Sequence, residues 1–232
     1  ASSSVRQHFD FPMTQWDYGH SAVVATVVTR EPHLSCARQI FTPDGPLAFL
    51  PLWSPNLCSV VWSVSPEKAT ELLAIPPSQF EQQLTVAFDA RLGSLSLQGA
   101  RGAYSLQARY VHEVVKEGCI LVGDAAHTIH PLAGQGVNLG LMDAAALIET
   151  ILTLKKQGRL VRTPHVFNHY ARWRNSQALH LLALMEVFKQ AFSGGATWKT
   201  LLRGIAMQGV DLMLPVKQAC IRRAMGLTGE LP

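Results

Sequence analysis

The run Gly123-Asp124-Ala125-Ala126-His127-Thr128-Ile129-His130-Pro131, followed by Gly134-Gln135-Gly136-Val137-Asn138, holds the residues of the 232-residue chain best suited to chemistry. Gly123 has no Cβ, so a ligand can pass close to its backbone. Asp124, set between apolar neighbours, can accept hydrogen bonds from sugar-type hydroxyls. Gly134 through Asn138 reads as a helix start. Free backbone N–H groups and the helix dipole favour negative charge there. The N1–C2=O edge of a flavin becomes negative on reduction, so a flavin is a suitable occupant. The spacing alone also fits a glycine-rich turn with no ligand. The two histidines bracketing a loop that ends at Pro131 favour the ligand.

Other chemistry-bearing residues have blander readings beside the sharp one. His127 and His130 have the side chain for acid or base work, or they hold the loop by hydrogen bonds. The local sequence places no nucleophile beside Asp124 and His127, so they do not read as a hydrolase dyad, and no side chain is assigned as catalytic. His165 and His169 have the i, i+4 spacing of metal ligands. With no acidic third ligand near, they read as surface helix and no metal is expected. Cys36, Cys58, Cys119 and Cys220 lack the close spacing of zinc or redox motifs and read as four reduced thiols.

The elements that must position the run are legible around it. Ser21–Thr29 is β-branched and apolar, hence a strand. Arg38–Phe41 and Leu47–Leu52 flank Thr42-Pro43-Asp44-Gly45-Pro46 and read as a hairpin. Leu57–Ser65 is another strand. Ser65-Pro66 opens a helix with Ser as its cap, and Ser78–Leu92 reads as a second helix. Gly93–Val111 is extended again. Cys119–Val122 reads as a short strand ending at Gly123. Gly136 to about Lys156 is a helix with Val137, Leu141, Ala144, Ala145 and Ile148 on one face. From Pro164 onward the chain reads as helical. The fold class is α+β: a mostly antiparallel sheet with helices, then a helical C-terminal tail.

Composition sets bounds. The chain is 48% hydrophobic with a net charge of +4. No apolar run reaches the roughly 18 residues that span a bilayer. The start, Ala1-Ser2-Ser3-Ser4-Val5-Arg6, lacks a secretory pattern and an initiator Met, so the expectation is a piece of a longer or processed chain. Charge is uneven: residues 155–232 carry +9 and residues 1–154 carry −5. That asymmetry points to an anionic partner for the tail, a membrane surface rather than nucleic acid, or reads as an ordinary solvated helical surface. The stretch Trp198 to Met213, with Lys199 and Arg203 beside an apolar stripe, reads as a basic amphipathic helix that either lies on such a surface or packs on its own domain or on a partner.

The run GDAAHTIHPLAGQGVNLGLMDAAAL resembles the second flavin motif of the para-hydroxybenzoate hydroxylase-type flavoprotein monooxygenases. It is most similar to the ubiquinone-biosynthesis hydroxylases that act on polyprenylated phenols. Arg38-Gln39, Leu47-Ala48-Phe49-Leu50-Pro51-Leu52 and Ala224-Met225-Gly226-Leu227 extend the likeness, most closely to the members that hydroxylate ring position C5. Ala1 to Arg6 resembles the tail of a further family motif, Gly-Ala-Asp-Gly, whose Asp and Gly are absent here.

The resemblance implies a set of roles. Asp124 would bind the ribityl chain of FAD, with Gly123 at the turn. Pro131 would stand near the ring where oxygen reacts. Gly134, Gln135, Gly136, Val137 and Asn138 would meet the pyrimidine edge. Phe49, Pro51, Leu52 and Trp62 would line a substrate pocket, unless they are plain core. NADH or NADPH would be the reductant. The implied domains are a substrate-binding sheet domain over residues 1–112, a second FAD-binding segment over 113–156, and a helical region over 157–232. The implied location is cytoplasmic, peripheral on the inner membrane. The family's Gly-x-Gly-x-x-Gly turn, which holds the ADP end of FAD, does not occur in the sequence. This chain alone is therefore expected to bind FAD weakly or not at all and to be inactive. Two rival readings remain: a hydroxylase of a soluble aromatic, for which only Arg38 and Arg101 suggest a carboxylate clamp, and a non-catalytic module docking to other quinone-biosynthesis proteins.

Overall fold

The computed structural model describes residues 3–128, 136–159, 161, 163–192, 213–215, 217, 218 and 222. In chain order the elements are α1 (Ser4–His8), β1 (Met13–Thr29), β2 (Arg38–Thr42), β3 (Gly45–Pro51), β4 (Leu57–Val64), α2 (Pro66–Ala74), α3 (Pro77–Ala87), β5 (Leu95–Val111), β6 (Val115–Lys116), β7 (Cys119–Ile120), β8 (His127–Thr128), α4 (Gly136–Lys156) and α5 (Asn168–Phe192). The class is α+β. The chain falls into two units: Asp17–Leu106, and Ala1–Trp16 together with Gln107–Pro232.

In the unit Asp17–Leu106 the strand order is β2-β3-β4-β1-β5. The hairpin forms around the expected turn, with β2 and β3 antiparallel from Arg38↔Phe49 to Thr42↔Gly45. Side chains alternate across a strand, so register assigns each residue to a face. Val23, Trp62 and Leu47 share one face, as do Ala25, Val60 and Phe49. That face packs on α2 and α3 through Leu72, Phe80, Leu84 and Phe88. The opposite face carries Val24, Val61, Ala48 and Gln39 in one row, and Thr26, Ser59 and Leu50 in the next.

The helices start as the sequence predicts. Ser65 caps α2, its Oγ accepting from the Lys68 N–H at 3.2 Å. The second helix stops earlier than the expected Leu92, because Asp89 and Ala90 take left-handed φ values of 53° and 51°. That turn carries the chain back toward β5.

In the other unit the first residues of the chain group with the last ones. Arg6 donates to the Ala125 carbonyl at 3.1 Å, and Phe11 shares a core with Val111, Leu121, Phe167 and Tyr170. The expected strand Cys119–Val122 shrinks to β7, which among the described residues pairs with β6. Val122 is extended and runs straight into a 3₁₀ turn at Gly123–Ala125. β8 lies antiparallel to the end of β5, with Tyr110 opposite His127.

α4 spans the predicted residues, but its predicted apolar face is turned outward. Val137, Leu141 and Ile148 are 73%, 65% and 58% exposed, while Asp143, Ala146 and Leu154 are buried. The sequence pattern missed this because both sides of the helix are apolar. That same composition makes α4 long and apolar enough to cross a membrane by length and content alone, with a mean hydropathy of 1.5 in its best window.

Candidate cofactor site

Three elements meet around Gly123. Its φ of +57° is left-handed, which favours glycine. A Cβ built on Gly140 of α4 would lie 3.1 Å from the Gly123 Cα. Two glycines thus let the turn press directly on the helix. Asp124 follows on the exposed side of the turn. Among the described residues its carboxylate accepts no hydrogen bond, so its acceptor capacity remains for a ligand. Gly136, half-buried, opens α4, with Val137 and Asn138 exposed after it. The first turn of α4 carries no acidic side chain to oppose an anion, and its leading N–H groups have no partner within the helix.

Beneath the turn lies a buried charged network. Asp143 is 1% exposed and Arg174 of α5 is 4% exposed. The Arg174 Nε–H donates to Asp143 Oδ1 at 2.6 Å, and Arg174 also donates to the Leu139 carbonyl at 3.2 Å. Asp143 Oδ2 accepts the Gly123 N–H at 2.9 Å. The Tyr170 hydroxyl donates to the Asp143 carbonyl at 3.4 Å. Burial, reinforced by the Asp143 charge, holds the Tyr170 hydroxyl far above its ordinary range and therefore protonated.

His127 completes the group. Its Nε2 stands 2.8 Å from Asp143 Oδ2. Despite that approach, Nε2 makes no hydrogen bond among the described residues. Burial pushes the imidazole below its ordinary value of 6.5, and Arg174 adds to that; Asp143 and Asp124 oppose it. Burial wins, so His127 is neutral at pH 7.

A histidine with a depressed folded value binds protons more readily unfolded, so stability rises with pH where it titrates. The contribution is full above about pH 6.5 and is lost as pH falls below it. We expect urea midpoints to drop from pH 7 to 5.5 with a slope of up to about 1.4 kcal/mol per pH unit from this residue. His127→Gln should flatten that slope, whereas an unchanged slope would place the titration elsewhere.

The other expected site residues are placed as follows. Pro131, Gly134, Gln135 and His130 lie outside the described residues, as do Lys199, Arg203 and Cys220. Phe49 and Trp62 are buried in the core on the helix-facing side of the sheet. Phe49 stacks on Phe88 with ring centroids 4.0 Å apart. Pro51 shares their face opposite Cys58, and half-buried Leu52 follows it, its N–H donating to the Leu57 carbonyl. His165 sits in a 3₁₀ turn and His169 on α5, both exposed. The sequence reading missed Arg6, Gly140, Asp143 and Arg174. Only Asp143, a lone acid inside an apolar helix, left a signal.

The donor set fits a flavin nucleotide. It offers an exposed carboxylate suited to ribityl hydroxyls, a glycine-only approach, and a helix start with no acidic side chain in its first turn to oppose a negative ring edge.

Comparison with known proteins agrees with that chemistry. Residues 1–171 match the family model described as FAD binding domain. The chain is 34% identical over 227 residues to 3-demethoxyubiquinol 3-hydroxylase of Escherichia coli (strain K12), covering 98% of this chain and 58% of that protein. It is 34% identical over 224 residues to ubiquinone hydroxylase UbiL of Rhodospirillum rubrum, covering 97% and 52%. It is 30% identical over 251 residues to the mitochondrial ubiquinone biosynthesis monooxygenase COQ6 of Homo sapiens, covering 94% and 53%. The chain thus spans little more than half the length of these relatives. Among solved structures, p-nitrophenol 4-monooxygenase PnpA from Pseudomonas putida DLL-E4 shares the fold with a TM-score of 0.76 at 19% identity, covering 98% of this chain and 57% of that one. OxyS anhydrotetracycline hydroxylase from Streptomyces rimosus does so with a TM-score of 0.69 at 20% identity, covering 99% and 45%.

Proposed function

The chain belongs to the FAD-binding-domain family, and from that premise we propose that it forms the flavin-edge and substrate-sheet part of a monooxygenase that hydroxylates a polyprenylated phenol in ubiquinone biosynthesis. Bound FAD would supply the redox chemistry of oxygen insertion, with NADH or NADPH as reductant, and no side chain needs to act as oxidant. The chain's own residues bind and orient. Gly123 admits the cofactor, and Asp124 accepts its ribityl hydroxyls. Gly136, Val137 and Asn138 present N–H groups to the ring edge that turns negative. Pro131, Gly134 and Gln135 keep the roles that the family resemblance gives them.

One observation favours an uncharged phenol over a soluble aromatic acid. The two arginines that the sequence suggests as a carboxylate clamp are both spent on backbone carbonyls. Arg38 donates to His33 and Cys36, and Arg101 donates to Leu72, Leu73 and Ile75. We assign substrate contact to the sheet face opposite α2 and α3, through Val24, Thr26, Ala48, Leu50, Ser59 and Val61. Those six side chains are uncharged. In this assignment Phe49 and Trp62 support the sheet from behind. The basic tail, +9 over residues 155–232, is assigned to an anionic membrane surface, where such a substrate resides.

The test is turnover by the FAD-loaded protein as it occurs in the cell, with NAD(P)H, oxygen, and either a polyprenylated phenol or a hydroxybenzoate. The expected product is the hydroxylated polyprenylated phenol, and Val61→Glu should abolish it without unfolding the unit. Preferential hydroxylation of the acid would overturn the substrate assignment.

A further inference from the structure

The buried pair Asp143–Arg174 is larger than a helix contact requires. Burying two charges is costly, and an apolar pair of similar volume often serves stability as well. The pair touches three elements that are remote in sequence: the Gly123 turn, α4 and α5. Asp143 Oδ1 takes the Arg174 guanidinium, which leaves Oδ2 aimed at the Gly123 N–H. Gly123 precedes Asp124 directly, and Asp143 lies two turns of α4 beyond Gly136. One carboxylate therefore ties together the two segments that take the flavin.

We propose that Asp143, held in place by Arg174 of α5, is a positioning residue for FAD: it latches the Gly123–Asp124 turn to α4 and fixes the spacing between the ribityl acceptor and the helix start. This rests on the flavin reading above. Loss of the latch lets the turn lift from Gly140, so Asp124 and the α4 N–H groups no longer meet one ligand together. The α5 helix, which contacts no ligand in this account, then controls flavin affinity through a single guanidinium. His127 adds no hydrogen bond to the latch. It faces Asp143, Arg174 and Asp124 and stands neutral beside them.

The experiment separates positioning from stability. FAD dissociation constants and thermal midpoints are measured on the protein as it occurs in the cell, stripped of flavin and retitrated. The variants are Asp143→Leu/Arg174→Met, Arg174→Lys and, as a destabilised control, Ser65→Ala. The double variant removes both charges, so its midpoint should recover relative to either single change. Its FAD dissociation constant should nevertheless rise about tenfold or more, since a hydrogen bond that orders the binding segment is gone. Ser65→Ala should lower the midpoint with no change in affinity. A folded double variant that binds FAD within about twofold of the parent would overturn the latch. If the double variant does not fold, Arg174→Lys carries the same test, because it keeps the charge and loses the Nε–H geometry. A parent protein that takes up no FAD would sink the flavin reading itself, and the latch with it.

Discussion

Replacing Arg174 alone by Met is expected to destabilise its unit by about 3–5 kcal/mol, because Asp143 is left as a buried carboxylate without its countercharge. Asp143 is 1% exposed, so water cannot take the place of the guanidinium without opening the core. The remaining donor, the Gly123 N–H, is a neutral amide and cannot balance a full charge. The Leu139 carbonyl also loses the donor that Arg174 supplies. Urea unfolding at pH 7, followed by tryptophan fluorescence, reads the effect directly. A loss below about 1 kcal/mol would mean that the pair is solvated and that the buried network does not hold the unit together.

Phe49→Ala should be the comparable lesion in the sheet unit. The ring is 1% exposed and stacked on Phe88 at 4.0 Å with 26° between planes. A buried Phe cut to Ala typically costs about 3–5 kcal/mol, part transfer and part cavity. The same substitution distinguishes core from pocket. Core placement predicts a large fall in the unfolding midpoint, with Phe49→Leu losing much less. A small fall together with altered substrate preference would return Phe49 to the substrate face.

The fold was largely legible because most of its signals are local. The β-branched run at Ser21–Thr29, the Pro-Asp-Gly turn and the Ser65-Pro66 cap each specify structure within a few residues. The site was half legible for the same reason. Gly123, Asp124 and the Gly136 helix start follow from backbone chemistry alone. The clamp beneath them was not, since Arg174 lies 31 residues from Asp143 and nothing local marks it as its partner. The facing of α4 was misjudged because Val137, Leu141 and Ile148 form a convincing apolar stripe. The helix instead turns Asp143 inward, where an ion pair and Gly140's close approach to Gly123 settle its rotation. For Phe49 and Trp62 the sequence leaves pocket and core both open, because alternation gives two faces without saying which one the helices cover.

The Gly123–Asp124 turn and the start of α4 are proposed as the flavin end of an FAD site. The most direct test is a fluorescence titration of FAD into the flavin-free native protein and its Asp124→Ala variant. The prediction is saturable one-to-one binding by the parent and affinity at least about tenfold weaker in the variant, the loss of one charged hydrogen-bond acceptor, with circular dichroism unchanged. Equal affinity in the two proteins would contradict the account.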